Sequence, residues 1–198
     1  MLGNDVVDLR CPDLSFHPRF PSRVLSKSEY DRFLQHAEPH LYLWKAWAAR
    51  EASYKAMKRR DPSFTFHPSE YFFEEDENFI FFEKKRLPLQ FEVTSDFIHC
   101  VVVDSSKKAV VGVEENRKAK VLLTNCQSIA VRDLAKRLFS FTTGVDENDI
   151  EVKSNRHGIP YIEIKSTGQS FPVSLSHHGR YVAAALKLTE ITGQFLFG

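Results

Sequence analysis

Apolar and polar positions along the chain change period twice. Near the start, Leu2–Leu9 reads as a short strand with two acids inside it, followed by a loop carrying Pro12, Pro18 and Pro21. Ser26 and Glu29 stand three apart, the spacing of a capping box, and predict a helix to about Ala37. After Pro39 a second helix is expected from about Leu41 to Arg59, because Trp44, Trp47, Ala48 and Tyr54 fall on one broad apolar arc. From Phe64 to about Val113 the period becomes two. Phe64 and Phe66 alternate around Thr65, and Phe79–Phe82, Leu89–Val93 and Phe97–Val103 are β-rich. Helical spacing returns at Val131, Leu134, Ala135 and Leu138, predicting a helix over about Ser128–Phe141. Strands are then expected around Ile150–Val152, Pro160–Ile164, Phe171–Leu175 and Tyr181–Leu186.

The order helix-then-strands therefore occurs twice. Thr94–Val103 is faintly similar to His178–Leu186, the closing strand of each run. The expected architecture is α+β, two similar halves over residues 1–110 and 111–198, joined through a charged connector near residues 105–120.

Composition narrows the class. The chain has 198 residues, 42% hydrophobic and 27% charged, with 17 phenylalanines, the balance of a globular protein with a real core. No apolar run approaches the ~20 residues of a membrane span, and the start lacks a basic-then-apolar leader pattern. No membrane association is expected. A net charge of +1 argues against a nucleic-acid coat, while leaving room for a local basic patch. Cys11, Cys100 and Cys126 are far apart and form no CxxC or Cys/His cluster, so neither zinc nor a disulfide framework is expected, and a cytoplasmic location fits.

Three groups of residues carry candidate chemistry. Glu51 falls inside the apolar arc of the second helix, with Lys55 one turn on. A carboxylate there loses water and needs compensation, either from Lys55 at i+4 or from a metal. Asp5 interrupts the apolar start just after Gly3; in a regular strand it points with Val7 and Leu9, and Asp8 points the other way with Val6. Two carboxylates from separate elements plus a lysine suit a hard cation such as Mg²⁺ bound to phosphate. No Walker loop or GxGxxG offers an alternative phosphate cradle. Last, Ser174-Leu175-Ser176-His177-His178 ends a strand at a turn, where Ser176 and His177 either donate to phosphate oxygens or form an ordinary polar turn.

Together these segments resemble a known family. Gly3-Asn4-Asp5 resembles the Gly-x-Asp opening of 4'-phosphopantetheinyl transferases. Trp47–Lys55 resembles their Trp-x-x-Lys-Glu-x-x-x-Lys signature, and Leu25–Tyr30 the Phe-Ser-x-x-Glu segment. Asn155–Tyr161 is similar to the Gly-Lys-Pro segment and Ser174–His177 to Leu-Ser-His. The Leu-Ser-His part comes last, as in short single-domain holo-acyl-carrier-protein synthases, whereas the length matches the two-half surfactin type. The resemblance implies two halves folded as a pseudo-dimer, monomeric, with the site between them. It implies transfer of 4'-phosphopantetheine from coenzyme A to a serine of an acyl or peptidyl carrier protein, with Mg²⁺ as cofactor. Asp5 and Glu51 would be metal ligands, with Asp8 a third at the short-type spacing. Glu51 would be the base and Lys55 would serve the leaving phosphate. Arg50, Lys55, Ser176 and His177 would bind coenzyme A, and Arg19, Arg23 and Lys27 would meet an acidic carrier helix. The chain departs from the pattern at Val7, where the surfactin type has an acid, at Arg50 in place of Lys, and at Ile159 in place of the Lys of Gly-Lys-Pro. Two other readings stay open: a metal-dependent phosphodiesterase or nuclease, though its Glu-x-Lys spacing is absent, and a catalytically degenerate module that binds coenzyme A or the carrier protein.

Overall fold

The computed structural model describes residues 1–11, 18–103, 109–116 and 124–187. The first half opens with β1 (Leu2–Asp8), followed by the helices α1 (Phe20–Val24), α2 (Lys27–Gln35) and α3 (Pro39–Arg60). The antiparallel strands β2 (Tyr71–Glu74), β3 (Phe79–Phe82), β4 (Lys85–Val93) and β5 (Phe97–Val103) then complete a sheet in the order β1-β5-β4-β3-β2. The second half repeats the plan with one helix: β6 (Ala109–Glu115), α4 (Thr124–Thr143), β7 (Ile150–Ser154), β8 (Pro160–Ile164), β9 (Ser170–His178) and β10 (Tyr181–Lys187), in the order β6-β10-β9-β8-β7. The expected α+β fold of two similar halves is what the chain adopts.

Local chemistry accounts for the boundaries. Ser26 Oγ accepts from Glu29 N while the Glu29 carboxylate accepts from Ser26 N at 2.7 Å, closing the capping box of α2. Pro39 starts α3, where a missing N–H costs nothing, and Lys58, Arg59 and Arg60 end it on the negative pole of the helix. α3 is buried nearly all round, on Leu43, Ala46, Ala49, Ala52 and Met57 as well as on the expected arc, because the sheet covers one side and the aromatic loop after it covers another.

Two boundaries differ from the sequence pattern. Phe64 and Phe66 lie in no strand; their rings cap the core against Tyr54, with Phe66 4.9 Å away centroid to centroid, and the first strand of the meander starts later, at Tyr71. Alternating rings mark a lid here. The division at residue 110 also falls inside β6, whose Ala109 and Val110 pair with Lys187 and Leu186 of the second sheet.

The halves correspond residue by residue. A Cβ on Gly3 would fall 2.0 Å from Ala52 O, so only glycine lets β1 cross α3 this closely; a Cβ on Gly112 would meet Leu134 of α4 at 3.2 Å. Gly3 faces Val102 on β5, and Gly112 faces Ala184 on β10. Two residues on stand Asp5 and Glu114. Three residues past the crossing point on each helix stand Lys55 and Arg137, and Lys55–Asp5 and Arg137–Glu114 are both ion pairs. Glu51 corresponds in the same way to Asp133.

The halves meet where the outer edge of β1 lies across β9 and β10. Val6, Phe97, Tyr181 and Ala183 pack there, with the Phe97 and Tyr181 rings 4.8 Å apart. The outward N–H groups of Asn4, Val6 and Asp8 donate to Ser174 Oγ, Ser176 Oγ and His178 Nδ1, each at 2.9 Å. Alternate residues of one strand thus meet alternate residues of the other, and buried backbone donors find partners. His99 is buried beside this seam, 3.2 Å from Asn4 Nδ2. Burial pushes its pKa down to about 4; Asp5 opposes and Lys55 adds to that effect. A histidine whose folded pKa is depressed contributes full stability above its unfolded value of ~6.5 and loses it as the pH falls toward 4. Measured by urea unfolding, the stability at pH 5 relative to pH 8 is expected to rise by about 2 kcal/mol in His99→Gln compared with the parent, because the variant has no imidazole to charge in acid.

Candidate functional site

A cleft between the halves gathers the residues singled out by sequence. Asp5 sits mid-strand on β1, 8% exposed, on the face that meets α3. Its Oδ1 accepts from Lys55 Nζ at 2.8 Å and from Ser176 Oγ at 2.9 Å, and Lys55 also donates to Asn4 O at 3.0 Å. Its Oδ2 has no partner among the described residues. Glu51, one turn before Lys55, makes no hydrogen bond or ion pair among the described residues. Burial pushes its carboxyl up to about 7, the Asp5 charge adds to this, and Lys55 opposes it. The i,i+4 pairing open from sequence is not made, because Lys55 reaches across to β1. Asp5 and Glu51 line one cavity together with Trp44, Trp47 and His177.

Two carboxylates share a single lysine, and the lysine is spent on one of them. Such a pair of hard oxygen donors, one oxygen free on Asp5 and both free on Glu51, fits a divalent cation that completes its shell with water and phosphate. Among the described residues no group of three or more His, Cys, Asp or Glu could hold a metal.

Asp8 does not join them. It faces the second half, 1% exposed, where Arg180 Nε and Nη2 donate to its oxygens at 2.9 and 2.8 Å and the Arg180 and Arg10 amides donate at 2.8 and 2.9 Å. Burial raises its pKa, but the Arg180 bonds outweigh burial and hold it below the usual carboxylate value. The strand is regular, so Asp8 clamps the halves and is corrected from metal ligand to structural ion pair. Because its folded pKa is depressed, the clamp holds at neutral pH and is lost only in strong acid. Asp8→Asn is expected to cost stability, about 1–3 kcal/mol in urea unfolding, and less than about tenfold in kcat/KM.

Arg50 is also corrected. It is fully buried on the far side of α3; Nη2 donates to both Glu29 oxygens at 2.7 Å and to Tyr71 O at 3.0 Å, Nη1 to Ala46 O, and Nε to Pro68 O. At 0% exposure it is sealed from any ligand in the cleft. Ser176 is 4% exposed and engaged by Asp5 and Val6, whereas His177, next along the strand, points the opposite way and is exposed. Burial and then the Lys55 charge lower the pKa of His177, while Asp5 opposes.

A second cavity of about 400 Å³ adjoins the first through Lys55, Leu175 and His177. Lys55, Lys58 and Arg59 come from α3, Arg132 from α4, His157 through Ile159 from the β7–β8 loop and Pro160 from the start of β8; among the described residues no acid lines it. Lys58 Nζ lies 2.9 Å from Tyr54 OH, and Arg59 donates to Pro160 O at 3.2 Å, tying α3 to the other half. Sequence reading missed Lys58, Arg59 and Arg132 as site residues. Lys58 at i+3 from Lys55 carried a helical signal; Arg132 carried none, because it joins the cavity only through the docking of the halves.

The chain is similar to several holo-[acyl-carrier-protein] synthases. That of Hydrogenovibrio crunogenus is 47% identical over 38 residues, covering 19% of this chain and 30% of the relative. Those of Shewanella sp. strain MR-4 and Shewanella oneidensis are each 36% identical over 61 residues, covering 28% of this chain and 46% of the relative. The chain thus spans less than half the length of these curated relatives. No solved structure matches. No helix among the described residues is long and apolar enough to cross a membrane. The family model for the 4'-phosphopantetheinyl transferase superfamily matches residues 1–104, which contain Asp5, Glu51 and Lys55. More than half of the chain, and the strand and helix that bear Asp5 and Glu51, fall within that match: the chain belongs to the 4'-phosphopantetheinyl transferase superfamily.

Proposed function

We propose that the protein transfers the 4'-phosphopantetheine arm of coenzyme A to a serine of an acyl or peptidyl carrier protein. One observation carries the reading: a cavity with two under-compensated carboxylates opens into a cavity that, among the described residues, is lined by cationic and neutral groups. The acid-free cavity suits the phosphates of the nucleotide end, with Lys58, Arg132 and His177 as contacts from both halves. Asp5 and Glu51 would hold Mg²⁺, which when bound supplies charge neutralisation at the pyrophosphate. The serine hydroxyl attacks the β-phosphorus, the bridging P–O bond breaks, and 3',5'-ADP leaves. Glu51 accepts the serine proton, and Lys55 offers its charge to the departing phosphate. Arg19, Arg23 and Lys27 are exposed around α1 and the start of α2, and would meet an acidic carrier helix. A monomer suffices, since one chain supplies both walls.

Incubation with coenzyme A, MgCl₂ and a panel of apo carrier proteins, followed by intact mass spectrometry, tests this. One carrier gaining the mass of a single phosphopantetheine is the expected result; no gain on any carrier, with coenzyme A bound, would favour the degenerate module. In the active case Lys58→Glu and Arg132→Glu are each expected to raise the KM for coenzyme A by about tenfold or more, with kcat changed far less, since they touch binding and not the reacting atoms.

A further inference from the structure

Ser176 belongs to the second half, yet its hydroxyl is bonded to the carboxylate of the first. Its single proton goes to Asp5 Oδ1 at 2.9 Å, and its oxygen accepts the Val6 N–H, also at 2.9 Å. Lys55 Nζ donates to the same Oδ1. Both donors converge on one oxygen, and among the described residues Asp5 Oδ2 is left without a partner, beside the cavity that Asp5 and Glu51 line. Holding Oδ1 from two sides fixes the carboxylate plane and therefore the direction of Oδ2. The other seam residues do not do this: Ser174 Oγ accepts from Asn4 N and His178 Nδ1 from Asp8 N, and neither touches Asp5. In the first half the strand position that corresponds to Ser176 is Gln90, as Leu89 corresponds to Leu175 through Val102 and Ala184. The short hydroxyl is thus supplied by the second half alone.

We propose that Ser176 is a positioning residue: it aims the free oxygen of Asp5 at the cation site and makes that aim depend on the docking of the two halves. This rests on the reading of Asp5 and Glu51 as the holders of Mg²⁺. Partners of a ligating carboxylate set its affinity for the metal, commonly by ten- to a hundredfold. The serine is 4% exposed, so no water takes its place without local rearrangement.

Calorimetric titration of the full chain with MgCl₂, without coenzyme A, tests the proposal. Ser176→Ala is expected to weaken Mg²⁺ binding by about tenfold or more. Ser176→Thr, which keeps the hydroxyl on a strand-compatible side chain, is expected to restore it to within about threefold. Ser174→Ala removes a seam hydrogen bond of the same length and is expected to leave Mg²⁺ affinity within about twofold of the parent, at a comparable loss of thermal stability. Equal Mg²⁺ affinities for the parent and Ser176→Ala, or equal losses in Ser176→Ala and Ser174→Ala, would overturn the proposal. A parent chain that binds no Mg²⁺ overturns the metal reading itself and the proposal with it, and is told apart from the other outcomes by the parent's own isotherm.

Discussion

Glu51→Gln is expected to abolish transfer, by about a thousandfold or more, while leaving the protein at least as stable as before. The two halves of that expectation come from the same geometry. Glu51 has no ion pair, its carboxyl is pushed up to about 7 by burial and by Asp5, and the lysine one turn away is bonded to Asp5. Ionising it in the folded state therefore costs free energy, and a neutral amide of the same shape escapes that cost, worth roughly 1–3 kcal/mol after allowance for partial solvent access. Had Lys55 been its partner, the substitution would have stranded a buried cation and destabilised the fold. Thermal melting and a carrier-protein assay on the same preparation separate the cases. A drop in stability with transfer retained would remove Glu51 from the chemistry.

Arg50→Lys is expected to cost about 3–5 kcal/mol of stability, or roughly a 10 °C fall in melting temperature. Arg50 has five donors on a rigid fork, and the structure uses the fork in four directions: Glu29, Ala46 O, Pro68 O and Tyr71 O. Lysine brings three donors on one atom and cannot reach them all. Glu29 would suffer too, since the same carboxylate caps α2 and accepts the Phe73 N–H at 2.8 Å. One residue therefore binds α2, α3 and β2 together; lysine keeps a charge for Glu29 but leaves buried carbonyls of Ala46, Pro68 and Tyr71 short of donors. A melting temperature within a few degrees of the parent would show that the core tolerates the lysine. Its effect on coenzyme A affinity in the surviving folded fraction should be small.

Elements were legible in the sequence wherever periodicity ran long. The helix expected over Leu41–Arg59 is Pro39–Arg60, and the Ser26–Glu29 capping box starts α2 as its spacing required. Alternation also put Asp5 and Asp8 on opposite faces of β1. Alternation says which way a side chain points and is silent on what lies there. Asp8 meets Arg180, 172 residues away, and Ser176 meets Asp5, 171 residues away. No local window holds such pairs. Arg50 reads as a cation beside the acidic motif, and only the packing of Pro68 and Tyr71 over it shows that it is sealed from the cleft. The helix α1 was hidden by its prolines, one of which serves as a helix start.

The seam between the halves has a consequence for how this protein behaves in a crowded solution. β1 is an edge strand, and an edge strand with unpaired amides recruits strands from other chains, the first step toward aggregation. Here the amides of Asn4, Val6 and Asp8 are capped by two hydroxyls and an imidazole. Side-chain caps leave no room for a visiting backbone and offer it no ladder to extend. The same short stretch, Ser174–His178, presents His177 to the cleft from its other face. Protection against self-association and the shape of the cleft are thus written into one strand, so substitutions that tune one will be filtered by the other.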